Sequence, residues 1–286
     1  MANLKAIRNR IASVKGTQKI TRAMKMVAAA KLRRAQENIF ALRPYAVNVM
    51  EVLADVAALT EVEDHPLLAR RSPDQVMLVV LTSDRGLCGG FNSNINRATE
   101  RYLNENHGKH RDMSLAVIGR KGLDYFKRRD VTIRHEIRGV FEDLSWKKAA
   151  DVARTIIHEF TEADLDAVYL VYNEFKSVIS QKVVVEQVLP IVPARTEEGR
   201  VEFIYEPSKK ALLDTLLPMY VEVEVYRALL ESVASEYGAR MTAMDNATKN
   251  AADMIDSLTL KYNKARQAAI TNEMLEIVSG AEALKG

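Results

Sequence analysis

Two apolar stripes at opposite ends of the chain constrain the fold more than any other feature. The first runs Leu4, Ile7, Ile11, Val14, Gln18, Thr21, Lys25, Ala28, Leu32, Ala35, Ile39, Leu42, Ala46, Val49, Leu53 and Val56. Its steps alternate three and four without a slip, which is the heptad of a helix that packs along a partner helix. At 1.5 Å per residue such a helix is about 80 Å long. Pro44 falls inside it, but the heptad phase survives, so the pattern predicts a bend there and not an end. The second stripe runs Tyr226, Leu230, Val233, Tyr237, Met241, Met244, Thr248, Ala251, Ile255, Leu258, Tyr262, Ala265 and Ala269. Its mean spacing is close to the straight-helix period, and its Ala and Thr positions allow a partner to approach closely. The helix predicted from Pro218 to about Leu284 is about 100 Å long, with Pro218 in or near its first turn, where a missing N–H costs little. Sparse Gly and Pro, 12 and 7 in 286 residues, favour long helices.

Each stripe finds its only counterpart in the other. A chain that leaves one helix, builds a domain and returns along the second makes an antiparallel pair, with both termini towards the end distant from that domain. Between the stripes, strand and helix patterns alternate. Gln75–Thr82 is a continuous apolar run of the kind found in buried parallel strands. Shorter strands are expected at 115–118, 131–137, 167–172 and 182–191. Helices are expected at 91–106, at 123–128, and from a Ser145 cap to about Phe160. The fold class is therefore α/β with a long antiparallel coiled coil: a five-stranded, Rossmann-like central domain and two shaft helices. The expected segments are an N-terminal shaft helix over 1–58, a linker over 59–74, the α/β domain over 75–206 and a C-terminal shaft helix over 207–286.

Charge is distributed unevenly. Residues 1–43 hold eleven Lys and Arg and a single acid, Glu37, although the whole chain carries only +3. Arg8, Arg10, Lys15, Lys19, Arg22, Lys31, Arg33 and Arg34 suit a solvated face, a nucleic-acid backbone or an anionic membrane surface. Apolar Met24, Met26 and Val27 lie off the seam where it turns polar at Gln18, Thr21 and Lys25. Exposed apolar groups on a rod suggest that another protein surrounds it.

Catalytic signatures are absent. The loop Ser83-Asp84-Arg85-Gly86-Leu87-Cys88-Gly89-Gly90-Phe91-Asn92 follows the first strand, where α/β folds bind phosphates. Its glycines fit neither a dinucleotide fingerprint nor a Walker loop, so it reads as a tight turn without ligand. Cys88 has no sequence-assignable base and reads as structural; as the lone cysteine it permits no internal disulfide and suits a reducing compartment. His107, His110, His135 and His158 complete no metal motif. No apolar run approaches the length of a membrane span, and the basic start reads as mature protein because its pattern continues into the long helix.

Three blocks resemble the gamma subunits of bacterial F-type ATP synthases, the central rotor shaft. They are IASVKGTQKITRAMKMVAAAKLRRAQ (11–36), TSDRGLCGGFN (82–92) and YNKARQAAITNEMLEIVSGAEAL (262–284). They occur in family order and spacing. The resemblance implies a non-catalytic shaft turning inside three alpha and three beta subunits, with epsilon and the c-subunit ring bound at its foot. Nucleotide chemistry then belongs to the beta subunits, and no cofactor or metal is expected on this chain. No nucleic acid and no membrane span are expected either. The resemblance further implies that Arg266 and Gln267 contact a loop of one beta subunit, with Thr271, Glu273 and Glu276 sharing the contact. Met24 and Lys25 would face the surrounding alpha and beta subunits, and Tyr205 and Glu206 the c ring. The redox-active cysteine pair of chloroplast relatives is missing. The implied location is the cytoplasmic side of a bacterial inner membrane, as a peripheral subunit. The alternative is a nucleotide-binding α/β enzyme with helical arms.

Overall fold

A computed structural model describes residues 4–58, 65–163, 165–192 and 209–283. The two stripes become the two longest elements, α1 (Leu4–Ala58) and α5 (Lys209–Ala283). Along α1 the seam residues from Leu4 to Val49 are all buried or half-buried, and most of the residues between them are exposed. The heptad therefore identified the covered face. Helix α1 continues through Pro44. The proline withholds an N–H from the Phe40 carbonyl, and Phe40 is exposed, so water can serve that oxygen.

The start of α5 differs from the expectation. Pro218 lies well inside the helix, which begins at Lys209. A proline is tolerated there at the loss of one hydrogen bond, to the carbonyl of Asp214. The surrounding Leu213, Leu217 and Val221 are buried, and their packing outweighs the local propensity.

The chain forms two compact units. One comprises 1–27 and 241–286. In it α1 and α5 run antiparallel, with Thr21 facing Thr248 (Oγ1–Oγ1 2.8 Å) and Lys25 facing Asp245 (2.6 Å). Met244 and Ala251 fill the seam between. From Ile270 to Ala283 every residue of α5 is exposed.

The other unit comprises 28–240 and holds the sheet. The strands are β1 (Gln75–Leu81), β2 (Asp112–Ile118), β3 (Thr132–Ile137), β4 (Ala167–Phe175) and β5 (Gln181–Leu189). Their order is β3-β2-β1-β4-β5, parallel except for β5, which returns antiparallel to β4 through a hairpin. The connecting helices are α2 (Phe91–Glu105), α3 (Arg120–Phe126) and α4 (Trp146–Glu162). The Ser145 hydroxyl accepts from the Lys148 N–H and so caps α4, as the sequence suggested. Helix α3 starts earlier than its apolar pattern indicated because its first turn is set by glycines. Gly119 has φ +91°, and a Cβ there would lie 2.0 Å from the Thr82 carbonyl oxygen.

In this unit α5 is wrapped. Val221, Val225, Leu229, Val233 and Ala234 join the same apolar core as β1, β4 and Leu32 of α1. A helix that is buried on most sides needs apolar or paired residues on most sides. That explains the dense run of buried positions from Val221 to Glu236. The described part of the expected linker is not a free connection. Leu67 and Leu68 are buried in a 3-10 turn (Pro66–Leu68), and the Leu67 carbonyl accepts from the Ile191 N–H. The apolar pair so close to His65-Pro66 was the overlooked signal.

Candidate functional site

The glycine loop is built to hold itself. The Asn92 side chain accepts from the Ser83 N–H (2.9 Å) and donates to the Ser83 hydroxyl (2.9 Å) and the Cys88 sulfur (3.2 Å). The Ser83 hydroxyl donates to the Arg85 carbonyl (2.7 Å). Leu87 and Gly89 both adopt positive φ, so the turn is sharp. Burial, followed by the charge of Glu236, pushes the Cys88 thiol above its usual range, the opposite of what a nucleophile requires.

Ligands of open α/β sheets bind where the strand order reverses, at the carboxyl ends of the strands. Here that point lies between β1 and β4. Side chains of α5 reach both strands there. Arg240 donates to the Gly86 carbonyl (2.8 Å) beyond β1, and the Ser235 hydroxyl donates to the Asn173 carbonyl (3.0 Å) of β4. Arg240 is also paired with Glu236, and both are largely buried. Removing one member of such a pair leaves an unpaired buried charge, at about 3–5 kcal/mol. Further along α5, Arg227 binds Glu224, Glu231 and, on β5, Glu186, and it donates to the Tyr172 hydroxyl of β4. The place of a ligand is thus taken by the shaft helix.

A hollow of about 420 Å³ remains beside the loop, lined by Asp84, Arg120, Asp124, Arg138, Gly139 and Glu142. Its walls carry charges and no apolar or aromatic side chain, unlike a pocket for a nucleobase. Among the described residues no His, Cys, Asp and Glu cluster has the arrangement of a metal site.

The shaft residues singled out by sequence fall on three kinds of surface. Met24 and Lys25 are half-buried. Lys25 is held by Asp245, which also binds Lys249 (3.0 Å). Hydrogen bonds from Lys25, then Lys249, hold the Asp245 carboxyl below its ordinary range. Ile20, Met26 and Val27 are more than half exposed. Arg266, Gln267, Thr271, Glu273 and Glu276 are all exposed, and they share that stretch with exposed Ile270, Met274, Leu275, Ile277 and Val278. Tyr205 and Glu206 lie outside the described residues. Sequence reasoning missed Asp245, Glu236 and Arg240. A lysine at a seam position was the available signal for the first, since it requires a carboxylate opposite; the other two carry no local signal.

The class defined by these elements is a central five-stranded α/β domain with long N- and C-terminal helices. The profile of a family described as ATP synthase matches residues 3–284. The ATP synthase gamma chain of Geobacter sp. (strain M21) is 54% identical over 288 residues, covering 100% of both chains. A chain of the Euglena gracilis mitochondrial ATP synthase, in an OSCP/F1/c-ring structure in rotational state 3, superimposes with a TM-score of 0.71. It is 25% identical and covers 98% of this chain and 94% of its own. A chain of the Tetrahymena thermophila mitochondrial central stalk and c ring gives a TM-score of 0.62 at 29% identity, covering 80% of this chain and 99% of its own. The chain belongs to the ATP synthase gamma-chain family. It is a subunit of a complex and not itself the catalyst, and the reading as a nucleotide-binding enzyme is not favoured.

Proposed function

We propose that this chain is the central rotor shaft of a proton-translocating F-type ATP synthase. It turns with the c-subunit ring and drives the catalytic beta subunits through their conformational cycle. Identity of 54% with an ATP synthase gamma chain, over the full length of both chains, carries this reading. The geometry suits the task. The antiparallel helices give each other stiffness, and the outward surface of α5 beyond Ile270 has both apolar and charged groups for enclosing subunits.

In this reading residues 1–58 and 207–286 form the shaft, 59–74 connect it, and 75–206 form the foot domain. Met24, Lys25, Arg266, Gln267, Thr271, Glu273 and Glu276 face the three alpha and three beta subunits. Arg266 and Gln267 engage carboxylates of one beta-subunit loop through charge-assisted hydrogen bonds. Tyr205 and Glu206 face the c ring, and epsilon binds the same end. The complex sits at a bacterial inner membrane with this subunit peripheral, on the cytoplasmic side. No described helix is long and apolar enough to cross a membrane.

Purification of the tagged chain from its native membranes tests the proposal. It should bring down alpha and beta subunits at three each per chain, and a cysteine at Tyr205 should crosslink to a c-subunit loop. A chain that purifies alone from membranes containing the assembled synthase overturns the reading. Crosslinks from elsewhere in the foot domain, but not from Tyr205, move the contact.

A further inference from the structure

The Thr82–Asn92 loop stands where an α/β domain would hold a ligand, yet its Ser83, Cys88 and Asn92 side chains bind within the loop and its Gly86 carbonyl accepts from α5. We propose that this loop is a mechanical bracket, and that Arg240 is the positioning residue through which the α/β domain passes torque to α5. The inference rests on the rotor function above and goes beyond it by assigning the load path.

Three observations carry it. The loop is braced at both ends: the Thr82 hydroxyl donates to the Ile118 carbonyl (2.8 Å), and Asn92, at the start of α2, holds Ser83. A bracket attached to both sheet and helix deforms little when pulled. Arg240 then joins it to α5, with one arm on the Gly86 carbonyl and the other on Glu236. The side chain is largely buried, and a planar guanidinium with two fixed partners resists rotation of the helix relative to the loop. Finally, α5 is grasped on more than one side at this level. A Cβ on Gly238 would stand 3.4 Å from the Val178 carbonyl oxygen in the β4–β5 hairpin, and Lys31 of α1 donates to the Tyr237 hydroxyl (3.2 Å).

By contrast, among the described residues the side-chain hydrogen bonds of α1 to other elements of this unit run to α5, and α1 meets the α/β layer through apolar Leu32 and Ala35 and through the edge contact of Tyr45 with Trp146, 6.3 Å between centroids. An edge contact between rings slides more readily than a buried ion pair. Torque therefore enters the shaft through α5.

The test uses the assembled complex in inverted membrane vesicles, with proton pumping and ATP hydrolysis measured together. Arg240→Met should leave alpha and beta subunits assembled and hydrolysis running. Protons pumped per ATP should fall about two- to tenfold, the equilibrium factor that one lost hydrogen bond represents. Because the single variant strands Glu236, the pair Glu236→Gln with Arg240→Met is made as well; it removes the buried charge but does not restore the link to Gly86. Asn92→Ala loosens the bracket without touching α5 and should act in the same direction. Uncoupling in the double variant at normal assembly supports the bracket. A normal pumping ratio in the double variant, or in all three, overturns it, since Arg240 then acts through stability alone. Failure of the unmodified chain to assemble with alpha and beta subunits overturns the rotor function instead.

Discussion

Lys25 shows how much one residue's role depends on what faces it. At a seam position its ammonium group would be a liability; opposite Asp245 it fixes the register of the two helices. Because the folded Asp245 carboxyl titrates below its ordinary value, this contribution is present above the ordinary carboxylate range and is lost as pH falls through the lowered folded value. Asp245→Asn should therefore lower the melting temperature of the chain at neutral pH and converge with the parent in acid. A difference that stays constant across that range would rule out the ion pair as its source. Met24, beside Lys25, belongs to the proposed stator-facing surface. A flexible thioether slides past unlike neighbours with little angular preference. Met24→Lys adds a cation able to pair with a stator carboxylate at one angle, worth about 1–3 kcal/mol if partly buried. Assembly should be normal while fewer protons are pumped per ATP hydrolysed; an unchanged ratio refutes tuning for smooth rotation at this site.

Among the elements, the long helices carry the most contradictory local sequence. Pro44 and Pro218 both lie in helix interiors, and both helices continue through them. Seam burial supplies the difference: Ala46 and Val49 are buried just beyond Pro44, and Leu217 and Val221 flank Pro218. Replacing Pro44 by Ala restores a helical N–H but also frees the unfolded chain. The two effects together should stabilise the protein by about 2 kcal/mol. Thermal or denaturant unfolding measures this, and a loss of stability would mean that the shape imposed by proline is itself packed against. Strand β1 is the opposite case, with local pattern and tertiary place in agreement. Its residues from Val76 to Leu81 are buried, as expected of a central parallel strand.

Over the whole molecule, burial predicts a gradient of local stability. The sheet unit has a continuous core from Val76 through Leu115, Val168 and Val221, while α5 beyond Ala269 has no buried residue up to Ala283. Among the described strands and helices, amide hydrogen exchange of the isolated chain should be slowest in β1 and β2 and fastest in the last turns of α5. Enclosure by other subunits should slow exchange at those last turns without changing β1. Slow exchange there in the isolated chain would mean that the surface is covered by the chain itself and is not held open for partners.

What the sequence determined alone was whatever has a short period. The heptad from Leu4 to Val49 names the covered face of α1, and the apolar run at Gln75–Leu81 names the central strand, because each pattern is written in neighbouring residues. Arg266 and Gln267 follow the seam residue Ala265 and lie off the stripe, and both are exposed. Tertiary structure alone decided the meetings of distant residues. Asp245 faces Lys25, Arg240 reaches Gly86, and Arg227 gathers Glu186 from β5. It also decided that α5 begins ahead of Pro218, where packing around Leu213 and Leu217 outweighs the helix-breaking tendency of proline. No local pattern encodes such choices. The pairings follow from burying polar groups, most of which find a partner wherever the chain brings one within reach, and the helix start follows from burying apolar ones.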